Sequence, residues 1–127
     1  MATGNSGTIL TSTDATSWSS RTGVTSNQLN GVTYVNNSFV TVGDSGTILT
    51  SSDGTSWDNR TSGTSNQLLG VTYGNSTFVT VGYSGTILTS SDGTTWDNRT
   101  SGTSKYLTGV TYGNGLFVTV GYSGTIL

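Results

Sequence analysis

An all-β fold, built from one small sheet repeated along the chain, is predicted by three observations. The segment Ser-Gly-Thr-Ile-Leu recurs at Ser6, Ser45, Ser84 and Ser123, a constant spacing of 39 residues. A tryptophan recurs at the same spacing, at Trp18, Trp57 and Trp96. Between these marks lie runs such as Phe78-Val-Thr-Val81 and Ile87-Leu88, whose apolar residues point to both faces of a sheet. Strands covered on both sides read as near-continuous apolar runs rather than as alternation. A fixed period of roughly 20–50 residues is the mark of a solenoid, a propeller or an array. A four-stranded antiparallel sheet, covered on both faces and repeated every ~40 residues, is a β-propeller blade packed between neighbours. One such blade buries too little apolar surface to stand alone, so blades stabilise one another. No polar face recurs at helical spacing, and no helix is expected.

Taken in order, residues 1–5 read as a disordered lead-in to a single repeat domain, 1–127. The copies are 6–44, 45–83 and 84–122, with a partial fourth at 123–127, so the chain holds about three blades. Copies two and three differ at six positions and copies one and two at 11, which makes the first copy the most divergent. The strands are read most clearly in copy two. Leu68 to Tyr73 is the first, and Gly74-Asn75 forms a tight turn because both residues tolerate positive φ. Phe78 to Gly82 is the second, and Tyr83-Ser84-Gly85 turns the chain again. Thr86 to Thr89 is the third, and a segment of the Trp57-Asp-Asn-Arg-Thr61 type is the fourth. Gly- and Ser-rich linkers such as Thr61–Ser65 lead to the next copy. The expected core is Trp57, Trp96, Phe78, Phe117, Val79, Val81, Ile87 and Leu88.

Composition excludes several classes of chemistry. Only 8% of residues are charged and the net charge is −2, so no basic patch for nucleic acid is expected. There is no Cys and no His, which removes disulfides, Cys/His zinc sites, thiol nucleophiles and His bases. No metal or other cofactor is expected. No apolar run approaches the ~18 residues of a membrane helix, and no signal segment is recognised. Three Trp, six Tyr and three Phe argue against a disordered chain.

The stretches Ser51-Ser-Asp53-Gly54-Thr-Ser-Trp57 and Ser90-Ser-Asp92-Gly93-Thr-Thr-Trp96 resemble the Asp-box of the BNR, sialidase-type repeat family. Both are one residue shorter than the commonest form of that box. The fuller phrase, with its preceding Val-Gly and SGTIL, is similar to repeats of photosystem II assembly factor-like propellers and of bacterial and phage surface proteins. The resemblance covers essentially the whole chain, and an engineered or excised piece of such a propeller would look like this. It implies that the box is a turn between the third and fourth strands of a blade, with structural roles for Asp14, Asp53, Asp92, Gly54, Gly93, Trp18, Trp57 and Trp96. It also implies an extracellular or surface setting for a natural parent. An Asp in such a turn accepts hydrogen bonds from the turn's own N–H groups, Gly supplies the bend, and Trp fills the space between blades. Copy one departs, because Ala15 stands where the motif has Gly. A looser turn, or one avoiding positive φ, is expected there.

Sialidases hold a carboxylate with three arginines, and Arg21, Arg60 and Arg99 repeat here at 39. As one repeat position on the outermost strands, they are expected to lie far from the channel and from each other. No catalytic residue is assigned, and the chain reads as non-enzymatic, since fold does not carry activity. The copies differ most informatively at Gln28 and Asp44, at Gln67 and Tyr83, and at Lys105, Tyr106 and Tyr122. Tyrosines and amides can stack on a sugar face and bond its hydroxyls, so these are the candidate ligand residues, with a glycan as ligand. The principal expectation is self-assembly. The chain opens with the outer half of a blade and closes with the inner half, and joining halves between two chains gives a six-bladed dimer. A strand-exchanged filament is the alternative.

Overall fold

The computed structural model describes all 127 residues, and it is all-β. Two complete blades occupy its centre. The first contains β4 (Leu29–Val35), β5 (Ser38–Gly43), β6 (Ile48–Ser51) and β7 (Asp58–Arg60), hydrogen-bonded in that order. The second contains β8 (Leu68–Gly74), β9 (Thr77–Gly82), β10 (Ile87–Ser90) and β11 (Asp97–Arg99). Every pairing is antiparallel. Before them stand β1 (Ala2–Thr3), β2 (Ile9–Thr11) and β3 (Ser19–Arg21), a three-stranded sheet in that order. After them stands a hairpin, β12 (Leu107–Gly113) with β13 (Leu116–Gly121).

The strand spans match the repeat reading to within a residue or two, but three local expectations are corrected. Residues 1–5 are ordered. Thr3 pairs with Ile9 and Ala2 with Leu10, the register in which Val42 pairs with Ile48 and Thr41 with Leu49. The first residues are thus in phase with the end of a second strand. The hairpin turn also lies one residue later than expected. Gly74 pairs with Thr77, and the two residues at positive φ are Asn75 (45°) and Ser76 (58°). Two consecutive positive-φ residues make the turn whose twist suits a two-residue hairpin. Finally, Ile87 and Phe117 of the expected core are only half-buried, whereas Trp57, Trp96, Phe78, Val79, Val81 and Leu88 are buried.

Apolar clusters lie between sheets rather than within them. Val40, Val42 and Ile48 of the first blade meet Leu68, Phe78, Leu88 and Trp96 of the second. Ile9 of the opening sheet meets Leu29, Leu49 and Trp57, with Met1 and Phe39 alongside. Val79 and Val81 meet Leu107 of the closing hairpin. Removal of this surface from water at each seam is the main cohesive term. The innermost strands approach most closely at glycines. A Cβ on Gly31 would lie 3.2 Å from the Leu69 carbonyl oxygen, and one on Gly70 would lie 3.5 Å from the Gly109 Cα. A Cβ on Gly31 would force its neighbour to shift by a few tenths of an ångström, whereas one on Gly70 would meet ordinary contact distances.

Candidate functional site

The turn between the second and third strands meets the linker before the first strand in every copy. The backbone N–H groups of Asp44, Tyr83 and Tyr122 donate to the carbonyls of Gln28, Gln67 and Tyr106, each at 2.9 Å. This contact gathers the variable residues onto one end of the blades. There Tyr83 and Tyr106 stack face to face, with centroids 3.9 Å apart and planes 3° from parallel. Tyr122 tilts against Tyr106 at 5.4 Å. One blade earlier, the place of the stacked pair is taken by Asp44 and Gln67. The Asp44 Oδ1 accepts hydrogen bonds from the side-chain amides of Gln67 and Asn30. Gln28 and Lys105 are exposed, and Lys105 enters no ion pair. The candidate ligand residues therefore fall on one face. Their mutual contacts already use much of their bonding capacity: one face each of Tyr83 and Tyr106, and one carboxylate oxygen of Asp44. Asn30 was not expected in this group. Its signal was present in the sequence, because its equivalents are Leu69 and Thr108.

A second feature lies at the seam between the second complete blade and the closing hairpin. It is an apolar groove of about 220 Å³ whose walls include Val79, Val81, Ile87, Val110, Phe117 and Leu127. Beside it the edge of β13 carries two backbone bonds to Leu127 (N–H of Thr119 to O of Leu127, and the reverse, both 3.0 Å). Exposed apolar side chains cluster at this end: Leu116, Val120, Ile126 and Leu127. At the opposite end of the molecule Trp18 is 45% exposed, while Trp57 and Trp96 are 6% and 8% exposed.

No protein-family model matches this chain, and no curated protein matches it. Among solved structures it is similar to "YCF48 bound to D1 peptide", with a TM-score of 0.74 at 20% sequence identity. The similarity covers 94% of this chain and 42% of that one, so the chain spans less than half the length of its structural neighbour. That neighbour is a β-propeller. The fold is propeller-like. About three blades' worth of strands are present, arranged as two complete blades flanked by partial sheets.

The remaining chemistry-bearing residues of the propeller are held in turns and on outer strands. In the turn after β6, Asp53 Oδ1 accepts from the N–H groups of Thr55 (2.7 Å) and Ser56 (2.8 Å) and from the Ser51 hydroxyl (3.0 Å). The Ser51 Oγ accepts from the Gly54 N–H at 2.8 Å. The turns at Asp14 and Asp92 repeat the same bonds. Each carboxyl is held below its ordinary pKa, chiefly by the backbone N–H of Ser17, Ser56 or Thr95 respectively. Donors aimed at the ionised form have that effect. Ala15 corrects the expectation of a different turn: its φ is +60°, beside +70° at Gly54 and +74° at Gly93. The arginines lie on β3, β7 and β11, in three different sheets. Arg60 pairs with Asp58 and Arg99 with Asp97, both at 3.1 Å, and each guanidinium Nε donates to a threonine of the neighbouring strand. They brace sheet edges, as one repeat position on outer strands should.

Proposed function

We propose that this chain is a non-enzymatic β-propeller repeat module of the Asp-box kind, which assembles with a second copy through complementary half-blades into a closed six-bladed ring. The observation that carries this reading is the strand inventory of the two partial sheets. At the closing end, β12 and β13 are the inner two positions of a blade. At the opening end, β2 and β3 are the outer two, in the register of β6 with β7, and β1 holds the second-strand place beside β2 that β13 of the other copy would take over in the join. Joined within one chain, they would make a three-bladed ring, below the usual range of roughly four to eight blades. Joined between two chains, they make six blades about a twofold axis, the commonest oligomeric symmetry. The join also covers sheet edges that otherwise invite association. The Ser-x-Asp turns, with Trp96 closing the seam they face, support the Asp-box kinship. Arginines tied to outer strands support a role without catalysis. Native mass spectrometry tests the assembly. A mass of two chains, twice 13.1 kDa, is expected. An open-ended series of larger species would favour the filament. A single-chain mass at micromolar concentration, with unfolding independent of concentration, would refute both.

A second reading is favoured by the run of aromatic rings at Tyr83, Tyr106 and Tyr122, of which Tyr106 and Tyr122 are 37% and 60% exposed. Outward tyrosine faces suit the apolar face of a sugar ring, and Gln28, Asp44, Gln67 and Lys105 would supply polar contacts beside them. A glycan array checks this. Binding that survives Tyr106→Ala with Tyr122→Ala would place the ligand elsewhere.

A further inference from the structure

We infer that the open groove between the second complete blade and the closing hairpin is the seat of Trp18 from a second copy of this chain. The inference rests on the half-blade reading above and adds to it the residue that anchors the join.

The molecule contains its own template for the filled groove. One seam earlier, Val40, Val42 and Ile48 form one wall. Leu68, Phe78 and Leu88 form the other, and Trp96 closes the space between them. The same repeat positions one copy later are Val79, Val81 and Ile87 on one wall, with Leu107, Phe117 and Leu127 facing them. Six of the seven positions are therefore occupied in the single chain and the tryptophan is the one that is not; in the join the second copy supplies it and also replaces Leu127 with its own Leu10. In the filled seam that residue follows Leu88 by eight positions, and Trp18 follows Leu10 by the same eight. If β2 of a second copy takes the third-strand place beside β13, Leu10 falls on the position of Leu127 and Trp18 falls over Val79. That matches Trp96, which shares its cluster with Val40, Val42 and Ile48.

Trp18 is prepared for this role. Its turn carries the full set of Asp14 bonds, and its indole N–H donates to the Ala15 carbonyl at 3.2 Å, as that of Trp96 donates to Gly93 at 3.0 Å. The indole is therefore tethered as that of Trp96 is, although the N–H of Trp57, buried in the preceding seam, has no partner. A tethered, exposed ring reduces the ordering cost of docking. A preformed aromatic entering an apolar pocket is the usual anatomy of an interface hot spot.

Two short pairings hold the places that the join would use. Ala2–Thr3 pairs with β2 at two positions, where a second strand runs in the complete blades. Ile126–Leu127 lies beside Val120 and Thr119, where a third strand runs. In the complete blades the corresponding second and third strands pair at four positions. Docking of Trp18 thus exchanges two short pairings, one in each copy, for one full-length pairing, with β13 replacing β1 beside the partner's β2.

The test is sedimentation velocity on the full chain across concentration, for wild type, Trp18→Ala and Trp18→Phe. The expected result is an assembling wild type, a dissociation constant raised about 30-fold or more in Trp18→Ala, and partial recovery in Trp18→Phe. Because Trp18 is exposed in the single chain, unchanged circular dichroism at low concentration is expected for both variants. A second readout uses Trp57→Phe with Trp96→Phe, which leaves Trp18 as the sole tryptophan. Its emission should shift to the blue as concentration rises. Assembly with an unaltered dissociation constant in Trp18→Ala, or with unshifted emission, would overturn the inference and leave the half-blade reading standing. A wild type that stays a single chain would overturn the half-blade reading itself.

Discussion

Trp96 and Trp18 stand at the same position of the same repeat, yet one is buried in a seam and the other is 45% exposed. The turns that carry them are almost superimposable in their bonding. Each has an Asp accepting two backbone N–H groups, a Ser hydroxyl bracing the bend, and an indole N–H donating to the residue after the Asp. The bend is therefore set by about seven residues of local sequence, but the indole bond is not, because Trp57 follows the same turn and its N–H has no partner. Burial is set by whichever sheet stands opposite. For Trp96 that sheet presents Val40, Val42 and Ile48. For Trp18 the single chain presents no equivalent wall. Repeat proteins of this kind separate the two levels cleanly, because each unit draws its core from its neighbours.

The comparison is tested most strongly by truncating each indole. Trp96→Ala removes a side chain packed between two blades and should destabilise the chain by about 3–5 kcal/mol. Trp18→Ala should cost no more than about 0.5 kcal/mol in the dissociated chain. Both are read by urea denaturation at a concentration low enough to suppress association, since association with a folded partner would add stability of its own. Similar costs for the two variants would show that Trp18 is buried within the single chain.

Most of the architecture was legible because the signals are local and repeated. The 39-residue spacing, the runs at Phe78–Val81 and Ile87–Leu88, and the Gly- and Asn-rich turns fixed four strands per copy. Besides the one-residue shift of the hairpin turn and the positive φ of Ala15, two kinds of feature escaped. The first is phase at the start of the chain. Met1-Ala-Thr-Gly-Asn-Ser-Gly7 aligns with Val40-Thr-Val-Gly-Asp-Ser-Gly46, but it matches fully only at Gly4, Ser6 and Gly7, so the apolar signature of a strand is weak and pairing decides the outcome. The second is anything requiring knowledge of neighbours. The stacking of Tyr83 on Tyr106 and the grip of Asn30 and Gln67 on Asp44 join residues 14 to 23 positions apart. The same is true of the half-burial of Ile87 and Phe117, which border the open groove. Sequence named most residues of the variable face, but it could not say that they bind one another.

A smaller effect, shared by all three turns, concerns pH. The carboxyls of Asp14, Asp53 and Asp92 lie below their ordinary value of 3.8, chiefly through the N–H groups of Ser17, Ser56 and Thr95. A folded pKa below the unfolded one gives stability that is fully present above the unfolded value and is lost as pH falls through the folded value. The melting temperature should therefore change little through these groups from neutrality down to about pH 4, then drop below it. In the Asp92→Asn variant the acid drop should be shallower. Asp14→Asn should flatten the profile by a similar amount, because the bonds around Asp14 match those around Asp92 despite the exposed setting. Equal acid profiles in wild type and both variants would show that the turn carboxyls are not linked to folding.

The finest discrimination between the first copy and the others lies at one backbone angle. Ala15 is held at φ +60° by the same bonds that hold Gly54 and Gly93 at +70° and +74°. A residue with a Cβ in this left-handed region carries a cost of roughly 1–2 kcal/mol that glycine does not. Ala15 is exposed, so a change there disturbs no packing and only two terms remain. Ala15→Gly relieves the steric term but gives the unfolded chain more conformations to lose, a cost of about 0.5–1 kcal/mol. The balance is a gain of about 0.5–1 kcal/mol, small enough to need matched denaturation curves with a common slope. The reverse change sharpens it. On Gly93 a Cβ would stand 3.6 Å from the Phe78 ring and 3.8 Å from Val40, ordinary contact distances, so Gly93→Ala should lose about the same small amount rather than the several kcal/mol of a clash. A loss in both variants would mean that the Asp14 turn had relaxed away from positive φ. Gain in one and loss in the other would show that the Asp and Ser side chains impose this bend on whatever residue follows them.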